Sequence, residues 1–153
     1  MGARARRRFI SVLAGLAAAP MLPARLARAQ QADPFAPLVR KITGGAALRA
    51  GRVTVDTPRL ADNGHSVPLS VSVESPMTAA DHVRSITLLS ERNPRPLMAT
   101  FHLDPAAGRA HVATRVRLNG SQRVLAIAQL SDGSWWSGDA EVEVTESACL
   151  DAT

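Results

Sequence analysis

The sequence predicts an all-β sandwich preceded by one short helix. Three observations carry that reading. From Val53 onward, apolar residues recur at every second position, which gathers them on one face of an extended strand. Clusters of Asp, Asn, Gly and Pro interrupt these runs at short intervals, as strands joined by tight turns require. The chain carries 1 cysteine in 153 residues, so no internal disulfide is available and an apolar core has to hold the domain.

The first segment, residues 1–29, reads as a signal peptide. Arg4, Arg6, Arg7 and Arg8 precede an apolar run at residues 9–19, too short for a bilayer, which needs about 20 residues. Ala27-Arg28-Ala29 supplies a small-x-small cleavage site, with Gln30 as the first mature residue. Arg6-Arg7-Arg8-Phe9-Ile10 fits the twin-arginine pattern, so export of the folded chain to a bacterial periplasm is expected, with no membrane span after cleavage. Cleavage also changes the charge. The whole chain is +5, from 18 basic and 13 acidic residues. The signal takes away six arginines and no acid, which leaves 12 basic against 13 acidic residues, or −1. The basic excess is therefore the signal, and a nucleic-acid or anionic-membrane partner is excluded on that ground.

Residues 30–45 follow as a helical segment. Asp33 is placed to cap a helix over residues 34–43, Pro34 suits its first turn, and Gly44-Gly45 can end it. Phe35, Leu38, Val39 and Ile42 share one face, a stripe suited to packing on the domain.

Residues 46–144 form the sandwich domain, with about seven strands. Val53 and Val55 open the period-two pattern. Val67, Leu69, Val71 and Val73 continue it, with Pro68 near the start pointing to an edge position. Residues 83–89 make a further apolar run. Leu97, Ala99, Phe101 and Leu103 alternate with Met98, Thr100 and His102. Val112, Thr114, Val116 and Leu118 alternate with Ala113, Arg115 and Arg117. Residues 123–130 are apolar on both faces and so belong in the middle of a sheet. Ala140, Val142 and Val144 alternate with Glu141 and Glu143. Turns fall at Asp62-Asn63-Gly64, Glu91-Arg92-Asn93-Pro94, residues 104–108, Asn119-Gly120 and Asp132-Gly133.

The body of the domain offers little chemistry. His65, His82, His102 and His111 lack metal-ligand spacing, and a pair such as His102 and His111 without a third ligand makes a poor metal site. No phosphate loop, nucleophile elbow or paired acidic motif is present, so neither a cofactor nor a metal is expected. Arg115 and Arg117 share a strand face suited to solvent or to an anion. Trp135-Trp136 offer one ring to each face of a strand, one for the core and one for an interface.

The tail, residues 145–153, holds Cys149. A chain end is a poor place for a core residue. An odd cysteine in an exported protein points to intermolecular pairing or a working thiol. Glu146 and Asp151 flank it and no Lys, Arg or His lies in the tail, so its own neighbours disfavour the thiolate.

These residues together resemble the SoxY family, sulfur-carrier subunits of bacterial thiosulfate oxidation. The resemblance runs through Ala61-Asp62-Asn63-Gly64, Val67-Pro68, Ser75-Pro76-Met77-Thr78, Glu91-Arg92-Asn93-Pro94-Arg95-Pro96, Gly108-Arg109-Ala110, Thr114-Arg115-Val116-Arg117-Leu118 and Asp132-Gly133-Ser134-Trp135. It implies an immunoglobulin-like antiparallel sandwich that pairs with a SoxZ-like subunit. It further implies a cysteine on a C-terminal arm, here Cys149, that carries covalent sulfur intermediates between periplasmic sulfur-oxidising enzymes. The carriers of the family end in Gly-Gly-Cys-Gly-Gly, whereas this chain has Ser147-Ala148-Cys149-Leu150-Asp151 and looks more like paralogues whose arm reads Ala-Ala-Cys-Ile-Glu. Without flanking glycine the arm is stiffer and bulkier. Two readings follow: a covalent carrier that serves other enzymes, and a non-catalytic scaffold whose tail only docks. An enzyme with its own active site is the weakest third, because no base or oxyanion donor accompanies the thiol.

Overall fold

The computed structural model describes residues 33–147; the signal residues Arg6, Arg7, Ala27 and Ala29, and Cys149, lie outside the described residues. The described residues begin with a turn. The carboxylate of Asp33 accepts the Phe35 amide at 3.2 Å, and its carbonyl accepts the Ala36 amide at 2.9 Å. Helix α1, Ala36–Thr43, starts there, two residues after Pro34, because Asp33 closes a turn around Pro34 rather than capping it. Pro37 fits the first turn, where its missing N–H costs nothing, and Gly44 ends the helix in the left-handed conformation (φ 64°).

Nine strands follow: β1 Leu48–Ala50, β2 Val53–Asp56, β3 Leu60–Asn63, β4 Val67–Val73, β5 Val83–Ser90, β6 Leu97–His102, β7 His111–Val116, β8 Gln122–Leu130 and β9 Trp135–Glu146. They form two sheets. The larger runs β1-β9-β8-β5-β6, with β3 also paired to β9; the smaller runs β2-β4-β7. The sandwich predicted from sequence is present, with two more strands than the pattern gave. The additional β1 and β3 are short, and both run parallel to β9, so the sandwich is not wholly antiparallel. Three- and four-residue strands carry too few alternations to register as a period.

The larger sheet is covered on both faces. Its inner face meets β2-β4-β7 through Val67, Leu69, Val71, Ile86, Leu88, Val124 and Ala126, all buried. Its outer face is covered by α1, where Phe35 packs with Leu89, Leu125, Ile127 and Trp135. This explains why β5 and β8 are buried along nearly their whole length: each stands between a sheet and a helix. The helical stripe of Phe35, Leu38, Val39 and Ile42 packs on the domain as its spacing predicts. β8 lies centrally, between β9 and β5.

Two sequence expectations are corrected. Pro68 was expected at an edge, yet β4 is the central strand of its sheet. The pairing with β2 stops at Asp56↔Ser70, and beyond it Thr57 donates its hydroxyl to the Pro68 carbonyl at 3.0 Å. N and carbonyl of one residue point to the same side, so the donor that proline lacks falls where β2 has already ended. The alternation in the sequence puts Leu97 on one face with Ala99, Phe101 and Leu103, opposite Met98. The register between β5 and β6 slips between Leu88 and Leu89, which pair with Ala99 and Leu97. That bulge reverses the phase: Met98 packs against the core and Leu97 is 46% exposed.

Candidate functional site

The described part of the C-terminal arm leaves the sandwich from the end of β9, and distant segments converge to hold it there. Asp62-Asn63-Gly64 lies along it: Ala61 and Asn63 pair in register with Val144 and Glu146. Thr145 donates its hydroxyl to the Asp62 carbonyl. Gly64 donates its amide to the Glu146 carbonyl at 2.7 Å, and its own carbonyl takes the Leu118 amide at 2.8 Å. Ser121 bonds both polar groups of Val144. The strand therefore continues through Thr145 and Glu146, two residues into the segment that the sequence assigns to the arm.

Beyond the strand stands a cluster of amides. Ser147 donates its hydroxyl to Asn119 Oδ1 at 2.6 Å. The Asn119 amide donates to Asn93 Oδ1 at 2.9 Å, and Gln122 Nε2 donates to the same oxygen at 3.2 Å. Asn93 Nδ2 returns a bond to the Arg117 carbonyl at 2.8 Å, and Gln122 Oε1 accepts the Arg92 amide at 2.9 Å. Gln122 is buried and fully engaged. Each such bond contributes about 1 kcal/mol, and the cost of orphaning a buried amide is larger. The arm root is thus tied to two turns, at 91–96 and 117–121, that carry no regular structure of their own. The sequence marks Asn93 and Asn119 as turn residues; that they meet, and meet Ser147, is a property of the fold.

Arginines surround this end. Arg95, Arg115 and Arg117 line a groove of about 400 Å³ between the outer strands of the two sheets, β6 and β7. Arg115 donates to the Ser66 carbonyl and hydroxyl, neutral groups. The one ion pair among the described residues is elsewhere, Arg123 to Asp33 at 2.6 Å.

The two tryptophans take opposite faces of the sheet, as expected, and each packs on an apolar core. Trp135 is buried under α1. Trp136 packs against the main core and is half-buried, with the guanidiniums of Arg49 and Arg52 at 5.6 and 5.1 Å from its ring centre. Its indole N–H donates to Ser134 Oγ at 3.0 Å. The Ser134 hydroxyl, then the Ser134 amide, then Arg49 and Arg52 hold the Asp132 carboxyl below its usual range. His102 stands opposite Ser85 in the larger sheet, while His111, in the smaller, shares a hydrogen bond with Ser72 at 2.9 Å. Among the described residues no group of three His, Cys, Asp or Glu is placed to hold a metal ion, and no helix is long and apolar enough to cross a membrane.

Comparison with known proteins decides the family. Residues 39–149 match the family described as sulfur oxidation protein SoxY. The chain belongs to the SoxY family. The matched stretch contains the whole sandwich and ends on Cys149. The sulfur carrier protein SoxY from Chlorobium limicola f. thiosulfatophilum superposes with a TM-score of 0.62 at 21% identity, covering 73% of this chain and 96% of that one. The superoxide reductase (neelaredoxin) of Ignicoccus hospitalis gives 0.55 at 21%, over 61% and 80%. The superoxide reductase of Nanoarchaeum equitans gives 0.53 at 12%, over 63% and 100%. At such identities these likenesses are to the fold alone. No curated protein matches the chain.

Proposed function

We propose that this SoxY-family chain is a periplasmic carrier, not an enzyme, which holds sulfur intermediates covalently on Cys149 during the oxidation of thiosulfate-type compounds. The observation that carries the reading is the convergence at the arm root. Ala61-Asp62-Asn63-Gly64, Glu91-Arg92-Asn93-Pro94-Arg95-Pro96 and Thr114-Arg115-Val116-Arg117-Leu118 are three of the stretches on which the family resemblance rests. All three meet around the last described residues before Cys149. A carrier needs a rigid body, a fixed exit point and a short reach. Ser147 is anchored, and two further residues extend about 7 Å, enough to present a thiol to a shallow pocket of another protein. Twin-arginine export through Arg6 and Arg7, cleavage after Ala29 and pairing with a SoxZ-like subunit belong to the same reading.

The test is mass spectrometry of the protein recovered from periplasm during growth on thiosulfate. Sulfur-bearing adducts on Cys149 are expected, and Cys149→Ser should abolish them together with sulfur-dependent turnover while leaving folding intact. Unmodified thiol throughout, with turnover retained in Cys149→Ser, would leave the scaffold reading in its place.

A further inference from the structure

Two surface clefts lie near the exit of the arm, and their charges are opposite. The larger, about 800 Å³, is lined by Asp56, Glu91, Glu141 and Glu143 against Arg59 and Arg123. The smaller, about 400 Å³, has Arg95, Arg115 and Arg117 in its wall and no carboxylate among its lining residues. After signal removal the chain as a whole is slightly acidic, so this concentration of positive charge is local. The three arginines are exposed and take part in no ion pair among the described residues. The neutral acceptors at Ser66 fix Arg115 without discharging it.

The groove and the arm are joined through the amide cluster. Asn93 lines the groove; it accepts from Asn119, and Asn119 accepts from Ser147. Ser147 is therefore two hydrogen bonds from the groove wall, and Cys149 is two residues beyond Ser147, about 7 Å along the chain before its side chain is counted. Of the two clefts, this groove is cationic and the other carries more acidic than basic side chains. A thiol that carries oxidised sulfur bears an oxyanion at its tip, and guanidiniums bind such groups through their fork of N–H donors.

We propose that the groove between β6 and β7, with Arg95, Arg115 and Arg117, receives the anionic sulfur group carried on Cys149. This rests on the carrier reading and adds to it a docking place for the loaded arm. The tail's own charges, Glu146 and Asp151, oppose an anion on Cys149; the arginines offset them. The groove favours the loaded arm over the empty one, since an uncharged thiol gains nothing from guanidinium forks. Leu97, turned outward by the bulge, supplies an apolar lip against which Leu150 can rest.

Because Cys149 is the only cysteine, the test needs no background correction. The mature protein is reacted with dianionic 5,5′-dithiobis(2-nitrobenzoate) and, separately, with neutral 4,4′-dithiodipyridine. The ratio of the two rates cancels any change in thiolate fraction and reports attraction of an anion to Cys149. In Arg95→Gln/Arg117→Gln that ratio should fall about five-fold, and in the wild type it should fall as salt is raised from about 20 mM to about 500 mM. Arg95→Lys/Arg117→Lys should keep most of the preference, which separates charge from damage to the fold. A ratio equal in wild type and the glutamine variant, or one that drops equally in the lysine variant, overturns the docking groove. Neither result touches the adducts by which the carrier reading is judged, and absence of those adducts does not alter the ratio.

Discussion

Asn119 shows how much one side chain can decide at the exit of the arm. Its carbonyl oxygen accepts from Ser147 and its amide nitrogen reaches the Arg92 carbonyl at 3.5 Å. Asn119→Ala should cost about 1 kcal/mol, read as a fall of about 4 °C in Tm. The more telling readout is local: hydrogen exchange at Glu146 and Ser147 should accelerate far more than in β8, since only the anchor is lost. Equal acceleration throughout would mean that Asn119 supports the whole fold. Asp132 provides a second prediction at this scale. Its carboxyl is held low in the folded chain, chiefly by the Ser134 hydroxyl, so its charged form stabilises the fold above the ordinary carboxylate range. That contribution is lost as pH falls through the lowered folded value. The urea midpoints of wild type and Asp132→Asn should therefore differ at pH 7 and converge below about pH 4. A gap that widened on acidification would contradict the assignment.

Among the elements, β9 is the one on which the others depend. It pairs antiparallel with β8 along one side and parallel with β1 and β3 along the other, and its last residues carry the arm. Gly138 lies near its start, against Val53 of β2. A Cβ built there would sit 2.0 Å from the Val53 carbonyl oxygen, so the position needs glycine for space rather than for its dihedral freedom. Gly138→Ala should destabilise the domain by roughly 1–3 kcal/mol, because a backbone group has to move. A chemical-denaturation midpoint unchanged from wild type would refute the close approach. Helix α1 illustrates the reverse dependence: its eight residues are too few for a stable isolated helix, and Phe35, Leu38, Val39 and Ile42 hold it by packing on β5, β8 and β9.

At the scale of the whole molecule, both sheets end in unpaired outer strands on the same side, β6 and β7. Open edges are usually covered or blunted, and here exposed arginines and the outward Leu97 stand beside them. With a SoxZ-like subunit co-expressed, size exclusion should yield a stable 1:1 complex, and the Cys149→Ser variant should form it equally well, since Cys149 follows the last strand in sequence. Two separate monomers under the same conditions would remove the partner from the proposal.

The sequence by itself determined the class of fold and the family. The period-two run of Val67 to Val73 is set by which face of a strand meets its core, and the unbroken apolar run of residues 123–130 by burial on both faces; both are local properties that every residue reports independently. The helical stripe and the turns at Asn119-Gly120 and Asp132-Gly133 are local in the same sense, and both formed where expected. What only the tertiary structure decided is non-local. β1 and β3 exist because β9 is beside them, and the phase of Leu97 was reversed by a bulge against β5. Pro68 was admitted to a central strand because β2 ends before it. The arm root depends on Asn63, Asn93 and Asn119, which the sequence reads as turn residues, and on Gln122, which no sequence pattern singles out. A hydrogen bond between residues 26 to 83 positions apart leaves no periodic trace in the chain, because its partners are chosen by folding and not by spacing.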